Sequence, residues 1–296
     1  MLGATLIFLT YYVSFLLLSD VRERNARHAK YTRASVPPQV EKNDIVYKGH
    51  ELEVSPEEIH QILLKYHHYY QGLHWDLQEV FLARLQSFMK KKVFVIKDDE
   101  IFREMPVLVS AAAIQLSFGL RDFHLSFYRY IRIQPAEYIA DHSFKILAGN
   151  VSNNTITVAW NHFLHGYAHK TDGSNLGLHE MSHALYFQKL VIDGKFARGF
   201  CNQYKCMEEA CRQAFLEESS GKKNLYSSYA DTDLQEFWAE TVELFFEKPS
   251  ELQNHYPLVF DAVTCLLNQD PRNPENPVLY KKKRWKENFT RLLGRV

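Results

Sequence analysis

Two imidazoles four residues apart, with a carboxylate beside the first, constrain this chain more than any other stretch of it. They lie in Gly177-Leu178-His179-Glu180-Met181-Ser182-His183-Ala184-Leu185. On an α-helix, residues i and i+4 share a face, so His179 and His183 can aim ring nitrogens at one metal ion. Glu180 falls on the adjoining edge, where a carboxylate can take a proton from a water attacking a carbonyl. Leu176, Leu178, Ala184, Leu185 and Phe187 supply enough apolar surface to bury the helix. Buried polar rings need partners, and zinc would supply one. The plain alternative is an accidental pair in a chain with 14 His.

Two His leave zinc short of a third protein ligand. Fifty-three residues beyond His183, Glu236, Glu240 and Glu243 stand at i, i+4 and i+7, with Phe237, Trp238, Leu244, Phe245 and Phe246 on much of the remaining surface. Spacing alone does not separate a metal-facing helix from a solvated acidic stripe.

Longer stretches add a resemblance. His179-Glu-Met-Ser-His183 together with Tyr229-Ala-Asp-Thr-Asp-Leu-Gln-Glu236-Phe-Trp-Ala and Glu243-Leu-Phe-Phe-Glu-Lys-Pro249 resembles the zinc metallopeptidase family of the Mlc titration factor A. Upstream, Ile146-Leu-Ala-Gly149, the strand-like Thr155 to Trp160, and Asp172-Gly-x-Asn175 extend the likeness, which covers about residues 55 to 290. The resemblance implies one zinc per chain held by His179, His183 and Glu236, with Glu180 as general base. It also implies that the Tyr229 phenol donates a hydrogen bond to the developing oxyanion, and that Glu243 orients a ligand. Met181-Ser182 replaces the family's usual Phe-Ala, a change expected to alter packing more than chemistry. Glu240 stands where the family has an apolar residue, which gives it a competing claim on the metal. Members of the family have been linked to binding a transcription repressor. A regulatory module that sequesters a partner, with a vestigial peptidase site, is therefore the second reading beside peptide hydrolysis.

Thr155 to Trp160 is β-branched and alternating, and is expected to offer an exposed edge to an extended peptide. His162, His165 and His169 have spacings of three and four, but Gly166 and Thr171-Asp-Gly-Ser point to a loop rather than a second metal face. Lys65-Tyr-His-His-Tyr-Tyr70 reads as a helix surface. Cys201, Cys206 and Cys211 recur every five residues, unlike zinc knuckles, and with Cys265 read as reduced packing thiols. Lys281-Lys-Lys-Arg284 reads as a solvated helix face.

Met1 to Ser19 carries no charged side chain and as a helix spans about 28 Å, close to a bilayer's apolar thickness. No basic segment precedes it and no small-residue cleavage site follows, so a single-pass anchor is expected rather than a cleaved signal. Arg22, Arg24, Arg27, Lys30 and Arg33 all follow the apolar run. This places the catalytic domain in the cytoplasm, on the inner face of the cell inner membrane. Residues 20–45, with Pro37-Pro38, read as a juxtamembrane linker, and 46–296 as one domain. With 35 basic and 35 acidic side chains, nothing draws the chain to nucleic acid.

Ser55-Pro-Glu-Glu opens a helix, and further helices are expected at 75–91, 101–118, 175–190, 203–217, 232–247 and 257–268. Strands are expected at 92–96, 123–133 and 155–160. The class is α+β: a predominantly helical, zincin-like metallopeptidase domain with a small sheet, behind one transmembrane helix. The function expected is that of a membrane-anchored, zinc-dependent peptidase acting on peptide or protein substrates.

Overall fold

The computed structural model describes residues 37–97, 103–139, 146–219, 225–227 and 234–279. The expected anchor at 1–19, most of the linker, Tyr229 and the Lys281 to Arg284 run lie outside the described residues. Among the described residues no helix is long and apolar enough to cross a membrane.

The strands are β1 (Ile45–Lys48), β2 (Val93–Ile96), β3 (Tyr130–Gln134), β4 (Tyr138–Ile139), β5 (Ile146–Leu147), β6 (Gly149–Ser152) and β7 (Thr155–Ala159). Five of them form a mixed sheet in the order β1-β2-β3-β7-β6, while β4 and β5 pair separately. β2, β3 and β7 run parallel, and β1 and β6 close the two edges antiparallel. Interior parallel strands are covered on both faces, which suits the unbroken apolar run Val93-Phe-Val-Ile96.

The helices are α1 (Pro56–Tyr66), α2 (His68–Gly72), α3 (Trp75–Met89), α4 (Glu104–Ser117), α5 (Trp160–Ala168), α6 (Leu176–Tyr186), α7 (Arg198–Ser219), α8 (Leu234–Glu247), α9 (Pro249–His255) and α10 (Pro257–Leu267). The result is a mostly helical α+β fold with a small mixed sheet. α4, buried from Met105 to Ile114 and mostly apolar around its circumference, is the central helix, as a nearly all-round apolar pattern requires. α6 packs against α4, α8, β6 and β7.

Four expectations change. Thr155 to Trp160 does not offer an edge: β7 is paired with β3 on one side and β6 on the other, with Val158 opposite both Ile133 and Gly149. Its threonines are buried along with its aliphatics, so alternation misled, and the edge beside it is formed by β6. The strand expected over 123–133 starts only at Tyr130, because the preceding chain is tied into a loop. The buried Lys92 ammonium donates to the carbonyls of His124 (2.7 Å), Leu125 (2.8 Å) and Tyr128 (2.6 Å), and Leu125 adopts a left-handed φ of 45°. His162 and His165 lie on a helix, α5, rather than a loop. Gly166 belongs there because a Cβ would come within 3.0 Å of Asn175 Cα, so its role is close packing, not chain breaking. Lys65 to Tyr70 is not one helix surface either: the chain restarts at His67, whose buried Nδ1 caps α2 by accepting from Tyr70 N (3.1 Å), and Tyr70 is fully buried.

Past Tyr186 the helix widens into a π-helical turn, Phe187–Asp193, ending at Gly194 with φ 51°. Gln188 Oε1 accepts from Phe127 N (2.8 Å), and Lys189 pairs with Asp122 (2.6 Å) and Asp193 (3.2 Å), which binds this turn to the Lys92 loop. All four cysteines are free thiols.

Candidate metal centre

α6 starts at a cap. Asn175 Oδ1 accepts from Leu178 N (3.0 Å), and the helix then carries His179 and His183 toward α8. Met181 and Ser182 are buried on the packing side, where Ser182 Oγ donates to His179 O (2.7 Å) and Ser182 O accepts from Trp238 Nε1 (3.2 Å). This couples α6 to α8 at the level of the imidazoles.

Glu236, in the first turn of α8, completes a set of three converging groups. His179 Nε2 and His183 Nε2 are 3.2 Å apart, and Glu236 Oε2 lies 3.2 Å from the first and 3.5 Å from the second. Tetrahedral zinc with bonds of 2.0–2.2 Å requires ligand atoms about 3.3 Å apart, so the donor set fits that ion. The protonation pattern agrees. His179 Nδ1 donates to Glu243 Oε1 (2.7 Å), which leaves the Nε2 lone pair facing the acceptor oxygens of Glu236. Acceptors gathered this way need a cation between them. Without one, burial opposes a charged His179, but hydrogen bonds to Glu236 and Glu243 hold its pKa well above the ordinary histidine value. Burial likewise disfavours the Glu236 carboxylate, yet the two imidazoles bring it down to about 2.

Behind His179 lies a clasp only partly visible in the sequence. The second oxygen of Glu243 accepts from Asn175 N, and one turn further along α8 Glu247 accepts from Asn175 Nδ2 (3.0 Å) and Gly173 N (2.9 Å). The cap of α6 is thus held by α8, so the two helices set each other's position. Nothing in the spacing of Glu247 pointed to this; Asn175 before a helix start was the available signal. Glu240 is turned away, accepting from Ser227 N (3.0 Å) and Ser227 Oγ, and is not among the converging groups. His162 is paired with Glu137, and the His165 and His169 rings lie against each other at 4.4 Å. Among the described residues these three form no metal-holding group.

Glu180 is 5% exposed and points from α6 toward β6. Burial raises its carboxyl to about 7 against the lowering pull of His179 and His183. Gly149, the first residue of β6, gives it room: a Cβ there would lie 2.3 Å from Glu180 Oε1. A cavity of about 330 Å³ opens between β6 with its turn, Gly149 to Asn153, and the side chains of His179, Glu180, His183 and Glu236.

Paired imidazoles and a carboxylate from two helices, beside a buried acid and a strand that is at the sheet's edge among the described residues, are the kind of groups a metal-dependent peptidase would use. The chain belongs to the glucose-regulated metallo-peptidase M90 family, the Mlc titration factor A family, whose profile matches residues 47–266. It is also similar to a protein of Synechocystis sp. (strain ATCC 27184 / PCC 6803 / Kazusa) described as "Uncharacterized protein slr2042". That protein is 22% identical over 213 residues, which cover 66% of this chain and 78% of the relative.

Proposed function

We propose that this metallopeptidase is a zinc enzyme that hydrolyses peptide bonds with Glu180 as general base, and that residues 1–19 anchor it in the cell inner membrane with the catalytic domain in the cytoplasm. The observation that carries the hydrolytic reading is the convergence of His179, His183 and Glu236 beside a buried Glu180 whose carboxyl is lifted to about 7. Zinc held by those three residues would supply the Lewis acidity that polarises a peptide carbonyl and acidifies a water. Glu180 accepts the proton of the attacking water and delivers it to the leaving amine, a task suited to a carboxyl that titrates near neutrality. Glu243 fixes the tautomer and tilt of His179. The peptide extends along β6, which has no further strand on its outer side among the described residues, so that backbone groups bind it as an added strand without demanding particular side chains. Tyr229, carried over from the family resemblance, is the proposed oxyanion donor. The anchor is supported by the uncharged run Met1 to Ser19 and the basic residues that follow it.

The test is the full-length chain beside its Glu180→Gln variant. We expect about one zinc per chain in both, and hydrolysis of a peptide mixture lowered by about 10²-fold or more in the variant. A parent that takes up no zinc, or a variant that cuts as fast as the parent, refutes the hydrolytic reading. Binding of a regulatory protein that survives in Glu180→Gln would belong to the sequestering alternative.

A further inference from the structure

A second cavity, of about 520 Å³, adjoins the candidate site and has a different character. Lys48, His50, Lys90, Lys91 and Arg129 line it, and no lining residue among those described is acidic. Lys48 ends β1, Lys90 and Lys91 follow α3, and Arg129 precedes β3, so loops at one rim of the sheet bring them together. Lys48 is paired with the neighbouring Glu51 (3.0 Å), and Lys91 lies against His124 (3.0 Å). Lys90 and Arg129, both exposed, have no carboxylate partner among the described residues. On a chain with 35 basic and 35 acidic side chains, this is a local excess of positive charge that attracts anions.

The groove lies beside the cleft along the chain. Tyr128 and Asn153 line the cleft, while their chain neighbours Phe127, Arg129 and Asn154 line the groove. Lys92 fixes the loop between them through its three carbonyl bonds, so the wall carrying Arg129 is held in place before any ligand arrives. A strand laid along β6 with one residue facing Glu180 beside Gly149 reaches the Ser152 end about 10 Å away, at ~3.3 Å per residue. The groove begins there.

We propose that this basic groove binds the acidic side chains of a peptide substrate, so that the enzyme selects chains carrying Asp or Glu three to five residues from the bond it cuts. The inference rests on the peptidase reading and on β6 as the strand that pairs with substrate. A membrane surface is the competing occupant of a basic patch, but a recess of about 520 Å³ whose walls continue along the chain from those of the candidate site is shaped to take side chains rather than a flat array of headgroups.

The experiment uses the full-length protein in detergent and two fluorescent peptide sets that differ only in Glu or Lys three to five residues to either side of the cut bond. With the zinc-loaded parent, the Glu set on one side of the bond has the higher kcat/KM, by roughly ten-fold at low salt, and the difference falls in KM. It shrinks at about 0.5 M salt. The double variant Lys90→Ala, Lys91→Ala and the single variant Arg129→Ala reduce the preference. Anisotropy with the Glu180→Gln protein reads binding without turnover. If no peptide is cut but the Glu set still binds more tightly, the peptidase reading fails and the groove assignment stands. Equal binding of the Glu and Lys sets overturns the groove assignment. So does a preference untouched by the variants, with loss of binding to vesicles containing phosphatidylserine instead.

Discussion

An alanine at residue 149 places a methyl group where the Glu180 carboxyl now rests, and its effect can be worked out from distances. The new Cβ would lie 2.3 Å from Glu180 Oε1, 2.6 Å from Cδ and 2.7 Å from Cγ. Ordinary contact is about 3.5 Å, so the carboxyl must retreat by about 1 Å. The backbone accepts alanine, because Gly149 is not among the residues with left-handed φ. The atoms in the way belong to a side chain that can rotate, which spares the fold. A misplacement of about 1 Å at a reacting group costs about 10²-fold in rate. His179, His183 and Glu236 are untouched, so on the proposed zinc reading metal content should hold at about one per chain. The assay is kcat/KM on a cleaved peptide beside zinc content and melting temperature for Gly149→Ala. Activity within about three-fold of the parent would refute the placement of the base against β6, and loss of zinc would show that Gly149 supports the metal rather than Glu180.

Glu243→Gln keeps the shape of the contact to His179 Nδ1 but removes its charge; zinc affinity, measured by competition with a chelating dye, should fall about 10–100-fold, and an unchanged affinity would remove the orienting role. Lys92→Met leaves three carbonyls without their shared donor, and urea titration should show a loss of about 3 kcal/mol or more; a loss under about 1 kcal/mol contradicts the account of the loop. Burial raises Glu247 to about 8, so the folded chain binds this proton more tightly than the unfolded one. Its stabilising contribution is complete below the unfolded value near 4.5 and is lost as pH rises through about 8. Glu247→Gln should therefore gain stability relative to the parent between about pH 5 and 8, by at most ~1.4 kcal/mol per unit, and a pH-independent difference would contradict the burial argument.

The helices that carry the site were legible because α6 and α8 announce themselves by period: apolar residues at helical spacing, a cap at Asn175, and chemistry on one face. His179, His183 and Glu236 come together because the two imidazoles share one face of α6 and α8 packs against α6, with Glu236 in its first turn. The sheet was less legible. Val93 to Ile96 was visible as an apolar run, but β6, Gly149-Asn-Val-Ser152, lacks both alternation and a β-rich composition, and only its pairing with β7 makes it a strand. Edge and interior were accordingly exchanged. The π-helical turn after Tyr186 has no sequence signature of this kind, since Gln188 and Lys189 look like surface residues until their partners Phe127 and Asp122 are in view.

Glu236 and Glu243 reach the same imidazole from opposite sides, one at Nε2 and the other at Nδ1, though they stand two turns apart on one helix. α8 thus acts as a ruler: seven residues, about 10 Å of rise, set the gap that the ring of His179 must fill. Inserting or deleting one residue between them would rotate one carboxylate by about 100° from the other, and no repacking of side chains could restore both contacts. Sliding α8 as a rigid rod would part Glu236 and Glu243 from His179 in one event, so if the proposed ion binds there, the docking of two helices and the grip on that ion would be the same equilibrium.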